Sequence, residues 1–158
     1  MGGAGWIGPA AVTGSRPNRS TPVEVSVRFM VIRRADAVTE AGAAPTPAIM
    51  AAMDKYMAEM QQAGVLIEGI GLKPSSKGAL VQFDAGKPRV IDGPFAEAKE
   101  LIAGFSLIDV PSLEEAIAWA RRWPAIDMEA NVALEIRPLF EESDFAEWQE
   151  TWQHAAPG

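Results

Sequence analysis

The segment Lys87–Gly104, KPRVIDGPFAEAKELIAG, lies between apolar segments that have the composition of β-strands. Its centre, Asp92–Phe95, places three turn-forming residue types before an aromatic one. Asp can brace a turn through its side chain, Gly permits backbone conformations that other residues avoid, and Pro fixes the next step of the backbone. The segment therefore predicts a loop that the surrounding strands hold in place, followed by a small-residue hinge at Ala103 and Gly104.

Three charged residues follow this turn: Glu97, Lys99 and Glu100. They are the candidate catalytic residues, because burial and like-charge proximity favour the protonated form of a carboxyl group and so suit it to acid–base chemistry. The lysine could hold a substrate anion or form a Schiff base. The alternative is an exposed, salt-bridged helical turn that adds little to stability.

The first expected strand is Val23–Arg34, VEVSVRFMVIRR, in which residues alternate between two faces. One face is wholly apolar. The other mixes Met30 and Ile32 with polar residues, as expected of a face that meets a partner or lines a cleft. The candidate ligand-binding residues are the charged ones opposite the apolar stripes of the first and last strands, together with the loop aspartate: Arg28, Glu135, Arg137 and Asp92. These charges could instead pair with one another.

Periodicity and terminal residues define the remaining elements. After a small-residue loop at residues 35–45, a helix begins at Thr46, with Pro47 at its first position, and ends at Gly64. Its methionines recur at helical spacing and indicate a core-filling stripe. The other elements are a strand at Val65–Leu72, a hairpin of Ala79–Phe83 and Pro88–Ile91, a strand at Ile102–Val110, a helix that Ser112 caps and Pro124 stops, and a strand at Asn131–Phe140. The helix after Ser112 is expected to bury Leu113, Ala116, Ile117 and Ala120.

The tail, residues 141–158, contains five acidic residues and no Lys or Arg. Within it Phe145, Trp148 and Trp152 share one helical face, and Asp144 followed three residues later by Glu147 is typical of a helix start. We expect an amphipathic helix whose aromatic face docks on the body of the protein or on a second subunit, because exposed tryptophans form an adhesive patch.

Composition narrows the classes of function. The chain has 158 residues, 48% of them hydrophobic and 22% charged, which is typical of one globular domain. A formal net charge of −7 disfavours binding to nucleic acids and to anionic membrane surfaces. Because there is no cysteine and the one histidine is His154, we expect no Ser-His-Asp or Cys-His arrangement in the body of the domain, no metal and no cofactor. Without a recognisable secretory signal or membrane span, a cytoplasmic location is expected.

The element order predicts the fold class. Without the hairpin it is βαββαβ, an α+β, ferredoxin-like arrangement with two helices on one face of a four-stranded sheet. The other face is too apolar for water, so we expect a homodimer in which two sheets face each other across a cleft, as a dimeric α/β barrel. The expected limits are a disordered arm at residues 1–22, a globular domain at 23–140 and an acidic helix and tail at 141–158.

Three motifs occur in order along the chain: GxGLxP at Gly69–Pro74, VxDGPFAExKE at Val90–Glu100 and GFxLI at Gly104–Ile108. Over roughly residues 23–140 they resemble the YCII-related family, and within it the branch of DGPF-domain proteins. The resemblance implies a dimeric α+β barrel of ferredoxin-like protomers and no settled activity. Better-studied relatives are thought to use a His-Asp pair in a cleft, which cannot be carried over because no histidine lies between residues 22 and 153.

Three hypotheses about function follow. The first expectation is a homodimeric small-molecule-binding or regulatory protein with a cleft near Asp92–Phe95. The alternative is a cofactor-independent enzyme that uses carboxylates and a lysine for acid–base chemistry on a small metabolite, which requires a buried Glu97 or Glu100 beside a cavity. A third is an interaction module without a pocket, whose contact is the tail helix.

Overall fold

A computed structural model describes residues 26–97, 100–129 and 131–155, and the expected N-terminal arm lies outside them. The described part of the chain is of the mixed α+β class. Its helices and strands are β1 Val27–Arg34, α1 Ala37–Glu40, α2 Pro47–Gln62, β2 Leu66–Gly71, β3 Ala79–Asp84, β4 Lys87–Asp92, β5 Ile102–Val110, α3 Leu113–Ala120, β6 Leu134–Pro138 and α4 Glu142–Ala155.

The main sheet has four strands in the order β2-β5-β1-β6, and all neighbouring pairs are antiparallel. The hairpin of β3 and β4 forms a separate two-stranded sheet. Both sheets are open, so the described residues of one chain close no barrel. The expected barrel therefore needs a second copy of the chain.

The alternation predicted for β1 is confirmed from Val27 onwards. Phe29 and Val31 are buried on one face of the sheet, which we call the first face, and Phe29 is paired with the buried Ile108 of β5. Met30 and Ile32 lie on the other face, which we call the second face. The methionine stripe of α2 fills the core against this face, as predicted. Both α2 and α3 contribute to the same buried cluster, and the second face therefore lies on the side away from them.

The caps predicted for α2 are also confirmed. The Thr46 side chain accepts a hydrogen bond from the backbone N–H of Ile49 at 3.2 Å, and Gly64 follows the helix at φ +69°. The loop predicted at residues 35–45 is wrong in part, because α1 occupies its first half. Asp36 and Thr39 form a reciprocal capping box there, with bonds of 2.7 and 2.9 Å.

Three further predictions need correction. Leu113 and Ile117 of α3 are exposed, whereas Ala116 and Ala120 alone of the predicted stripe are buried. The last strand is shorter than predicted, and α4 begins at Glu142, before Asp144. Asp144 still serves the helix start, because its carboxylate accepts the backbone N–H of Glu141 at 2.7 Å.

Ala103 and Gly104 form no hinge, because both belong to β5 and are buried. Gly104 pairs with Arg33 on one side and with Gly71 on the other. A Cβ atom at residue 104 would lie 2.7 Å from the carbonyl oxygen of Ile70. The glycine therefore permits a close approach of two paired strands rather than a bend.

The only tyrosine, Tyr56, permits a test of how well α2 is packed. Burial raises its pKa to about 12, although the positive charge of Arg122 lowers it in part, and its hydroxyl donates to the carbonyl of Trp119 at 2.8 Å. An unfolded tyrosine ionises near about 10. Since the folded state holds the proton more tightly, we expect the free energy of unfolding to fall by roughly 2.7 kcal/mol between about pH 10 and about pH 12.

Denaturant unfolding at a series of alkaline pH values, together with the absorbance of the phenolate, measures this effect. Tyr56→Phe is the control, and its stability should lack this decrease. A phenol that titrates near about pH 10 in the folded protein would contradict the packing described.

Candidate functional site

The second face of the main sheet has an apolar middle. Residues that are paired across antiparallel strands share a face, and Met30 is paired with Leu107 and Ile32 with Phe105. Ile70 of β2 extends this group, because it is paired with Phe105. All five side chains are half-buried, and none belongs to the buried core cluster within the described residues. The single chain thus leaves an apolar sheet surface partly in contact with water.

Charged residues lie at one end of this face, where β1 begins. The guanidinium of Arg28 donates two parallel hydrogen bonds of 3.0 Å to the carboxylate of Glu141, just before α4. These bonds are the main reason that the pKa of Arg28 is raised above its usual value. Asp109, which is paired with Arg28, is buried and accepts a hydrogen bond from Ser26. Arg28 therefore fastens the start of α4 to the sheet.

A second charged group runs along the β6 edge of the face, from Arg137 opposite Met30 to Arg34 where β1 ends. Glu135 of β6 forms ion pairs with Arg34 and, at 3.6 Å, with Arg137. The side chain of Arg137 is 71% exposed, so its guanidinium remains accessible to an anion. Arg34 also donates to the backbone carbonyl of Glu100 at 3.5 Å. Arg34 therefore adjoins the segment that follows the turn at Asp92–Phe95, which we call the DGPF turn.

The DGPF turn is anchored to its neighbours mainly through backbone groups. The N–H of Gly93 donates to the carbonyl of Gly78 at 3.1 Å, and the N–H of Phe95 donates to the Ser75 hydroxyl at 3.0 Å. Ser75 in turn donates to the carboxylate of Glu40, from its hydroxyl and from its backbone N–H. The peptide bond between Gly93 and Pro94 is cis. The turn thus rests on the segment around Ser75 and on the last residue of α1.

The predicted catalytic residues do not form a buried site. Glu97 and Glu100 are both exposed, and Lys99 lies outside the described residues. Asp92 is exposed at the end of β4, opposite Ala79. The chain therefore brings Glu135 and Arg137 together on β6. Arg34 links Glu135 to the backbone of Glu100, whereas Arg28 binds Glu141 where β1 begins.

A buried ion pair near Arg34 was not predicted. Arg33 donates through Nε to Asp127 at 2.7 Å and through Nη2 to Asp36 at 3.3 Å, and Trp123 donates to the same Asp127 carboxylate at 2.8 Å. Arg33 and Asp127 are each 1% exposed. Two consecutive arginines at the end of an amphipathic strand could have indicated this cluster, because one of them must face the core. The cluster fixes α1 and the segment after α3 behind the candidate site.

The described residues contain no group of three or more His, Asp or Glu side chains placed to hold a metal ion. Among the helices that the structure describes, none has both the length and the apolar character needed to cross a membrane.

Two comparisons relate the chain to known proteins. Residues 27–142 match the YCII-related domain family. An uncharacterised protein of Rhizobium meliloti (strain 1021) is 41% identical over 78 residues, which make up 49% of this chain and 62% of that protein. The match thus spans less than two thirds of the length of this relative.

Proposed function

The chain belongs to the YCII-related family. From that premise we propose that it is a homodimer of the DGPF-domain branch, and that it binds a small molecule between the second faces of its two main sheets. The protomer in this proposal is ferredoxin-like, which the βαββαβ order and the antiparallel four-stranded sheet support. The motif around Asp92–Phe95 supports the assignment to the branch.

The observation that carries the proposal is the partly exposed apolar middle of the second face, with Arg28 where β1 begins and Arg137 on the edge strand β6, opposite Met30. Apolar sheet faces pack against another layer, and a two-fold copy supplies a layer of the same size and character. A dimer would shield Met30 and Ile32 from water and would leave a cleft beside the charged residues of the two faces.

The chemistry of the β6 edge of the second face favours a ligand with an anionic group on an apolar body. Arg137 offers an accessible guanidinium that can bind a carboxylate or phosphate through two hydrogen bonds. Lys99, which the sequence places in the following segment, would add a second positive charge. The apolar middle of the face would contact the rest of the ligand.

Binding is favoured over catalysis by the exposure of Glu97 and Glu100. Catalytic carboxyl groups lie in pockets that exclude water, and neither of these two does. The alternative of a carboxylate-dependent enzyme requires these groups to become buried on ligand binding or against a second copy. Turnover of a bound compound is the measurement that separates the two functions.

The dimer is tested by Ile32→Glu, which places a charge in the apolar middle of the second face. Sedimentation equilibrium should show a wild-type dimer and a largely monomeric variant, because a buried unpaired charge is very unfavourable. Ile117→Glu on the exposed surface of α3 is the matched control and should remain dimeric. A monomeric wild-type protein would contradict the proposal.

The ligand is tested by a thermal-shift screen of small carboxylates and phosphates. A ligand at about a hundred times its dissociation constant stabilises the folded state by roughly 2.7 kcal/mol, which raises Tm by on the order of 5–10 °C. Arg137→Ala and Lys99→Ala should each weaken the response at least about tenfold in affinity. Lys55→Ala, at an exposed position of α2, should leave it unchanged. Hits that are insensitive to both test variants would place the ligand elsewhere.

A further inference from the structure

The hairpin of β3 and β4 presents an apolar surface that nothing in the described chain covers. Val81 is paired with Val90 and Phe83 with Pro88, so these four side chains share one side of the hairpin, which we call the hairpin face. Val81 is 55% exposed, and Phe83 and Val90 are each 66% exposed. The opposite side is mixed, with Leu80 paired with Ile91 and a hydrogen bond between Gln82 and Arg89. Since an isolated hairpin is marginally stable in water, this face requires a partner.

The helix α4 presents a second surface of the same kind. Phe140, Phe145, Trp148 and Trp152 contact one another in sequence, with ring centroids 4.9–6.4 Å apart, and form the aromatic face. Each ring remains at least 40% exposed, up to 64% for Trp152. The expected docking of this helix on the body of its own chain is therefore not seen in the described residues.

These two surfaces lie at opposite ends of the main sheet. The hairpin lies in the connection between β2 and β5, and Ile102 at the start of β5 is paired with Arg34 at the end of β1. The start of α4 joins the other end of β1 through Arg28 and Glu141. The eight residues of β1 separate the two ends by roughly 25 Å.

We propose that, in the homodimer, the hairpin face of each copy packs on the aromatic face of α4 of the other copy. The inference rests on the proposed function, because it starts from second faces that pack against each other. A two-fold axis that lies across the strands reverses the strand direction between the two sheets. The hairpin end of one sheet then meets the α4 end of the other. The dimer therefore contains two equivalent contacts, in each of which a hairpin face covers an aromatic face.

Charge favours this arrangement over an axis parallel to the strands. The parallel axis would place hairpin against hairpin and α4 against α4. The helix carries four acidic side chains and no Lys or Arg, so two copies would repel each other. The hairpin is formally neutral, because Lys87 and Arg89 balance Asp84 and Asp92, so it can meet the acidic helix without this repulsion.

The area is also sufficient for a stable contact. Large aromatic side chains bury about 150–250 Å² each when they are fully covered. Covering the exposed parts of both faces in both copies would bury an area of the order of a standard protein interface, roughly 1,600 Å². The contact would thus add substantially to the packing of the two sheets.

Cysteine cross-linking tests the arrangement directly, because the chain has no cysteine of its own. Lys87→Cys lies at the tip of the hairpin, next to Pro88 of the hairpin face, and Gln149→Cys lies beside the aromatic face. Both positions are exposed. The two variants, distinguished by affinity tags, are mixed, allowed to exchange subunits and treated with a bis-maleimide. We expect cross-linked dimers that contain both tags, at a yield at least about tenfold above that of either variant alone.

The possible outcomes separate this inference from the proposed function. Wild-type sedimentation as a monomer would overturn both. A dimer that yields cross-links between identical variants, or none at all, would overturn the hairpin–helix contact and leave the dimer standing. As a second measurement, Phe83→Asp should raise the dissociation constant of the dimer at least about tenfold. Gln82→Asp, on the side of β3 opposite the hairpin face, should leave this constant within about twofold of the wild-type value. Equal constants for the two variants would also overturn the inference.

Discussion

Asp127→Ala is expected to lower the free energy of unfolding by about 3–5 kcal/mol, the effect of leaving a buried charge without its partner. Asp127 accepts hydrogen bonds from Arg33 and Trp123, and both charged residues are almost fully buried. Without this carboxylate, the guanidinium keeps only the weaker contact to Asp36 and its bonds to backbone carbonyls. Urea denaturation of the purified proteins gives the difference in stability.

Two variants make this prediction specific. Asp84→Asn breaks an ion pair with Arg89 at 3.5 Å whose side chains are 60% and 62% exposed, and it should change stability by less than about 0.5 kcal/mol. The double variant Arg33→Met, Asp127→Leu removes both charges and should recover much of the loss. A single Asp127→Ala variant as stable as Asp84→Asn would show that Arg33 reaches water in solution.

The sequence predicts most of the sheet, because period-two alternation is strong in β1 and β5 is a mainly apolar segment of strand length. The predicted limits Ile102–Val110 agree with β5, and the caps at Thr46 and Gly64 agree with α2. These elements combine a hydrophobic pattern with local start and stop residues. Agreement of the two kinds of information makes such elements predictable.

The errors arise where tertiary contacts override local preference. The short helix α1 has no apolar stripe and is held by its capping box and by the ion pair between Arg33 and Asp36. The exposed Leu113 and Ile117 follow the helical period of the buried Ala116 and Ala120, so spacing cannot separate them. The candidate site is predictable only in part. Arg34 and Glu135 meet through the pairing of β1 with β6, and residues so far apart in sequence give no local sign of this contact.

The DGPF turn lies so close to Ser75 that any side chain at Gly93 would displace the backbone. A Cβ atom at residue 93 would lie 1.7 Å from the carbonyl oxygen of Ser75 and 2.5 Å from its carbonyl carbon. Both neighbours are backbone atoms, so either the turn or the segment around Ser75 must move. We therefore expect Gly93→Ala to destabilise the protein by about 1–3 kcal/mol, as overpacked substitutions do. The same movement should break the bond between the Phe95 N–H and the Ser75 hydroxyl.

Gly78→Ala is the matched control, because it lies in the same contact and its added Cβ would meet the nearest atom at an ordinary 3.7 Å. It should stay within about 0.5 kcal/mol of the wild type. Hydrogen exchange distinguishes a local from a general effect: in Gly93→Ala the Phe95 amide should lose its protection while amides of β5 keep theirs. Since Arg34 joins the sheet to the segment that follows the turn, the same variant should also weaken the thermal response to anionic ligands. If Gly93→Ala retained both the Phe95 protection and the ligand response, the turn would have no role in positioning the site.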